Sequence, residues 1–192
     1  MTGDLVIRPA SQTDARAIAR VHVETWRSTY AGSLPDRVVV RMSTENKTAV
    51  WREMIGRRGS REAILVAAVP GAGVVGFASC GPAASTLLRP RSVLQAAEPY
   101  AGEVYTLYVL PDWQEKGIGR RLLCGCFRAL AEAGLESAFL WVLASNPSRF
   151  FYEAMGGLRA GERDEALWGA VLHEAAYGWP DLSVLPPACR DG

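Results

Sequence analysis

Long apolar runs are missing from this 192-residue sequence. None reaches the roughly 18 residues that span a bilayer. The first eight residues pair no basic stretch with a long apolar one, so neither a membrane span nor a signal peptide is expected. An excess of one charge is missing too, with 21 basic residues against 20 acidic. Nucleic-acid binders draw much of their affinity from neutralising phosphate, so no nucleic-acid partner is expected. Cysteine is sparse: Cys80, Cys124, Cys126 and Cys189 form no C-x-x-C pair. Cys124 and Cys126 stand two apart on an expected helix and so point to different sides. Neither a zinc site nor a disulfide framework is expected. The four are read as buried thiols in a reducing cytoplasm.

The residues that are present describe an ordinary globular chain. Apolar residues make up 49% and charged residues 21%, which excludes the disordered class. Residues 1–182 read as one domain and 183–192 as a C-terminal tail. Residues 4–9 read as a strand. Ser11 with Asp14 then forms a capping signal for a helix whose Ala15, Ile18, Val21, Trp26 and Tyr30 recur at helical spacing. A turn is expected at Pro35, and a second helix over 44–58. Strands 63–69 and 74–80 flank the turn P-G-A-G as a hairpin. Residues 81–101 read as a loop with a helical turn near 92–97. Strand 103–110, a helix over 117–133, strand 138–144, a short helix opening at Pro147 and strands 158–166 and 171–178 complete the chain. The order gives a mixed α/β sheet with helices on its faces.

The segment Q-E-K-G-I-G-R-R, residues 114–121, joins the strand E-V-Y-T-L-Y-V-L to a helix. The first turn of a helix has free N–H groups and the positive end of its dipole. Gly117 and Gly119 remove side chains that would block a phosphate, and Lys116, Arg120 and Arg121 add positive charge. The segment suits a pyrophosphate. It is neither G-x-G-x-x-G nor a Walker loop, and a purely structural turn would read the same in isolation.

Q-E-K-G-I-G resembles the [Q/R]-x-x-G-x-[G/A] motif of the GNAT superfamily of N-acetyltransferases. The preceding Y-T-L-Y-V-L-P-D-W resembles that family's fourth strand and its exit. Asn146 with S-R-F-F-Y-E-A-M-G-G resembles the stretch after its fifth strand. The resemblance spans residues 4–178. It implies a mostly antiparallel central sheet of six or seven strands with about four helices. It also implies acetyl-CoA as co-substrate, with no metal. Backbone groups around Lys116, Gly117, Ile118, Gly119 and Arg120 would hold the pyrophosphate, assisted by Gln114. The strand edge at Leu107, Tyr108 and Val109 would pair with the pantetheine amides. Asn146 would contact the cofactor, and N-capping explains it equally well. Tyr152 would sit near the thioester sulfur, although packing on Phe151 and Met155 would also explain it.

The implied reaction moves an acetyl group to a primary amine by direct attack. A lysine-like amine has a pKa near ~10 and must first lose a proton. Glu103 is the candidate base, with an exposed strand-end charge as its other reading. Glu24 is a weaker alternative, and His22 on the first helix reads as structural. Trp26 and Tyr30 are candidates for the acceptor side, or else a core stripe. The aromatic segment 176–182 lines the pocket or a homodimer contact. The acceptor, a small-molecule or peptide amine, is not named by the sequence. An acetyl-CoA sensor without turnover is the competing reading. A toxin that acetylates charged tRNA would need a basic surface.

Overall fold

The protein's structure, a computed structural model, describes residues 5–30, 43–83, 100–167 and 170–189. Strand β1 (Val6–Pro9) opens the chain, and its proline sits on an edge where a missing N–H does little harm. Arg8 then fixes the entry to helix α1 (Ala15–Tyr30). It grips Asp14 through two N–H groups at 2.8 Å each, while the Ser11 N–H donates to the same carboxylate. Ala15, Ile18, Val21 and Trp26 are buried, as their spacing requires. Helix α2 (Thr44–Arg57) starts at Ser43, whose hydroxyl accepts from the Asn46 N–H, and buries Trp51 and Ile55. The turn expected at Pro35 and the helical turn near 92–97 lie outside the described residues.

Seven strands form one sheet in the order β1-β2-β3-β4-β5-β7-β6. They are β2 (Ala63–Val69), β3 (Gly73–Pro82), β4 (Gly102–Val109), β5 (Ala138–Leu143), β6 (Leu158–Leu167) and β7 (Ala170–Trp179), besides β1. Gly71 and Gly73, both at positive φ, make the β2–β3 turn. Every neighbouring pair is antiparallel except β4–β5, which is parallel and joins only through Gly102–Ala138 and Glu103–Phe139. The mixed sheet and its helices match the expected fold class. Seven strands settle the six-or-seven alternative.

Alternation assigns the two faces. Phe77, Ser79, Tyr108 and Thr106 share a face with α1 and α2, where His22 stacks on Tyr108 and the Ser79 and Thr106 hydroxyls bond at 2.7 Å. Helices α3 (Ile118–Glu132) and α4 (Arg149–Ala154) cover the other face. There Phe127 of α3 packs on Trp179 of β7. Gly125 lets α3 lie close to β2, since a Cβ there would meet Leu65 Cδ1 at 2.8 Å.

One expectation is overturned. Cys124 on α3 is joined to Cys189 by a disulfide, while Cys80 and Cys126 are free and buried. Cys124 does point away from Cys126, but it points at the C-terminal segment. Pairing by spacing within the helix could not bring Cys189 into view. Residues 183–189 return along α3, where Leu185 and Ala188 pack on the core and the Arg128 guanidinium donates to the Cys189 carbonyl at 3.0 Å.

The bridge closes a loop between residues 65 apart, which constrains the unfolded chain strongly. Cys189→Ser should lower the unfolding free energy by roughly 2–4 kcal/mol. Urea titration without reductant measures this. With reductant added, the parent should fall to the variant's midpoint.

Candidate active site

After two residue pairs β4 and β5 part, and a cleft of about 710 Å³ opens between them. Leu110 donates its N–H to Val75 of β3, so alternation turns the backbone groups of Leu107 and Val109 to the opposite, open edge. The Val109 carbonyl accepts there from Gln114 Nε2 at 3.0 Å. A residue beyond register with β3, Tyr105, is a bulge that bends β4 as the split begins. Thr106 and Tyr108 line the cleft from the α1 face, with Thr25 and Thr29 of α1 above them. Leu107, Phe151 and Tyr152 line it from the α3–α4 face. The cleft therefore runs through the sheet.

Helix α3 begins at the mouth. Gly117, at φ 76°, turns the chain into the helix, and the first described intrahelical bond runs from Arg121 N–H to its carbonyl. The N–H groups of Ile118, Gly119 and Arg120 precede that bond and are open to an anion. Gly119 faces Phe151 across the cleft, where an added Cβ would lie 3.5 Å from the ring. A larger groove of about 970 Å³ lies at the outer edge, against β1, β2 and α3. It lacks the split strands and the glycine turn, so the cleft is the candidate site.

Residues 22–157 match the family model described as the acetyltransferase (GNAT) family. The chain belongs to this family. It is 34% identical over 181 residues to the uncharacterized N-acetyltransferase YuaI of Bacillus subtilis, covering 94% of this chain and 96% of that one. Solved structures share the fold. An N-acetyltransferase from Staphylococcus aureus Mu50 matches with TM-score 0.66 at 21% identity, covering 94% and 99% of the two chains. The PaiA N-acetyltransferase of Thermoplasma acidophilum, solved with coenzyme A, matches with TM-score 0.59 at 19% identity, covering 90% and 98%. The protein is thus an acyltransferase enzyme.

Within this GNAT domain the expected site residues are distributed unevenly. Gln114, Gly117, Gly119, Arg120, Asn146 and Tyr152 line the cleft. Ile118 contributes only backbone, because its side chain is in the core. Lys116 folds back over the Trp113 ring and donates to the Asp112 carbonyl, away from the cleft. Asn146 Oδ1 accepts from the Ser148 N–H at 2.9 Å, so its turn-capping and cleft-lining positions coexist. Trp26 is buried in α1. Tyr30 ends that helix, and its side chain lies outside the described residues.

Tyr152 is 7% exposed, and burial pushes its phenol well above the ordinary tyrosine value. Its hydroxyl has no hydrogen-bond partner among the described residues. Glu103 is not the exposed strand end that was its other reading: it is 4% exposed, at the closed end of the split, on the α1 face. It does not line the cleft. Glu24 is exposed on α1 and does not line it either.

Two neighbours were missed by sequence reasoning. Trp141 and Glu174 stand on the cleft wall, and Arg163 lies over the Trp141 ring at 4.3 Å while pairing with Glu174 at 2.6 Å. The alternation of β5 and β7 carried that signal, but only the strand order joins them.

His22 cannot serve as a base in this arrangement. Trp51 Nε1–H donates to its Nδ1 at 3.1 Å, and burial with the nearby Lys47 charge pushes its pKa down to about 4. The neutral ring therefore carries its proton on Nε2. Because the unfolded chain takes up a proton near pH 6.5 and the folded chain does not, stability should be lost as pH falls from about 6.5 toward 4. Asp14, held below the usual carboxylate range by Arg8, acts only at lower pH. Denaturation series across pH should show this slope in the parent and a flatter one in His22→Gln.

Proposed function

We propose that the enzyme transfers the acetyl group of acetyl-CoA to a primary amine by direct attack in a ternary complex. The observation that carries this is the cleft itself. It joins open N–H groups at a helix start to an unpaired strand edge and to a tyrosine hydroxyl that has no partner among the described residues. A pyrophosphate fits the α3 N-terminus, and pantetheine amides fit the edge at Leu107 and Val109. No metal is assigned. Acetyl-CoA supplies a thioester-activated acetyl group when bound.

The chain's own groups then have distinct tasks. Glu103 accepts the amine proton through water, since it does not itself reach the cleft wall. The nitrogen attacks the carbonyl carbon, forming the C–N bond as the C–S bond breaks. Tyr152 donates to the departing sulfur; its raised pKa keeps it protonated at neutral pH. A sensor without turnover would not need a phenol at the wall of the cleft with no partner among the described residues.

Gly117→Val puts a β-branched residue at φ 76° and distorts the helix entrance. Calorimetry should show weaker acetyl-CoA binding in a variant that still folds. Unchanged affinity would remove the pyrophosphate assignment. Tyr152→Phe should leave acetyl-CoA binding nearly unchanged and slow acetylation by roughly 10²-fold. An amine panel with thiol-release detection measures it. Parent protein that binds acetyl-CoA and acetylates nothing would favour the sensor. Glu103→Gln should lower the rate most at low pH, where the amine is most protonated, and an unchanged pH profile would assign the proton to another acceptor.

A further inference from the structure

Behind Tyr108, on the α1 side of the cleft, stand His22 and Lys47, which do not line it themselves and have no counter-ion among the described residues. Lys47 stands one turn before Trp51 on α2, and positions four apart share a helix face. That face meets His22: the Trp51 indole donates to it, and its ring lies over Tyr108 with centroids 5.3 Å apart. Tyr108 lines the cleft, and Thr25, one turn beyond His22, lines it too. Lys47 is close enough for its ammonium to oppose protonation of His22.

Lys47 is half-buried, and among the described residues it forms no ion pair and no side-chain hydrogen bond. Glu24 and Glu45, on the same two helices, are exposed and pair with neither group. An ammonium partly removed from water without a partner is unfavourable. The imidazole beside it is locked by Trp51 into the tautomer that donates from Nε2. Both groups can satisfy an anion, and neither can satisfy a cation. Toward the closed end of the same sheet face stands the carboxylate of Glu103.

We propose that Lys47 and His22 form a subsite for an anionic group on the acceptor, so that the acceptor is a small amine bearing a carboxylate: an amino acid or a close analogue. The inference rests on the acetyl-transfer reading above. The acceptor's amine lies toward the split of β4 and β5, and its carboxylate lies toward Lys47. Trp51 is a positioning residue, acting through His22.

The test compares leucine, phenylalanine and glutamine with their carboxamides as acceptors for acetyl-CoA. The amide's amine is the less basic, so intrinsic reactivity favours the amide, and a preference for the acid must come from binding. The acids should show kcat/KM roughly tenfold or more above their amides. Lys47→Met keeps the apolar stem and should erase that preference by raising KM for the acids, leaving the KM of acetyl-CoA alone. Nitrogen NMR of the parent should find His22 neutral at pH 7 with its proton on Nε2.

Amides used as well as acids, or a preference untouched by Lys47→Met, would overturn the subsite. So would a His22 proton on Nδ1. Calorimetry separates the two levels. Failure to bind acetyl-CoA removes the transfer reaction itself, whereas tight binding with equal use of acids and amides removes only the anion subsite.

Discussion

The parting of β4 and β5 is the constraint on which the rest of the structure depends. Parallel neighbours normally stay paired, because an unpaired edge leaves N–H and C=O groups open. Here pairing stops after two residue pairs, at Glu103 and Phe139. Three features hold the gap. The bulge at Tyr105 bends β4, Gln114 satisfies the Val109 carbonyl from within the connection, and β7 anchors β5 along its whole length from the other side. The strand crossover passes through α3, so the same connection that separates the strands brings a helix N-terminus to their open edge. An edge in need of amide partners and a helix start in need of an anion therefore coincide.

Much of this was legible in the sequence, for local reasons. Strand and helix limits followed from glycine, proline and capping residues whose effects are confined to a few positions. Helix α3 is an example, with Gly117 before it and Gly134 at positive φ just beyond it. The open helix start at 114–120 was legible because backbone geometry at a helix start depends on its own glycines. Side-chain direction was less so. Lys116 counted as a phosphate ligand by charge, yet a ring three residues earlier and a carbonyl four residues earlier hold it aside. The exposed strand end that was the other reading of Glu103 failed because no local signal says that Phe139 will pair beside it. Cys189 and the Trp141–Arg163–Glu174 group depend wholly on which distant strands and segments meet.

The C-terminal segment shows how a distant contact supports the cleft. Cys189 is bonded to the middle of α3, and Ala188 beside it reaches both the outer groove and the cleft. The cleft wall near Arg120 thus includes a residue from the end of the described chain. Arg128, one turn beyond Cys124, fastens the same turn through the Cys189 carbonyl. Helix α3 is braced from outside while its inner side packs Leu122, Leu123, Phe127 and Leu130 into the core. A helix held on both sides keeps its N-terminal turn in place. This placement matters because charge–dipole interactions fall off within a turn.

Burial of Tyr152 presents a tension in the proposed chemistry, and its resolution limits what the hydroxyl can do. A phenol near ~10 in water is a weaker acid than a thiol near ~8.5, so protonating the leaving thiolate already runs slightly uphill for the donor. Burial pushes the phenol higher still. Taken alone, that would make Tyr152 a poorer acid. The departing sulfur, however, would bear its charge in the same cleft, and desolvation disfavours that anion as well. The two shifts act in the same direction, so the gap between donor and acceptor need not widen with burial. A hydrogen bond aimed at the developing charge gains strength in such surroundings before any proton has moved. In the proposed chemistry the principal contribution of Tyr152 is therefore a preorganised donor to the breaking C–S bond, with full transfer completing only as the charge matures.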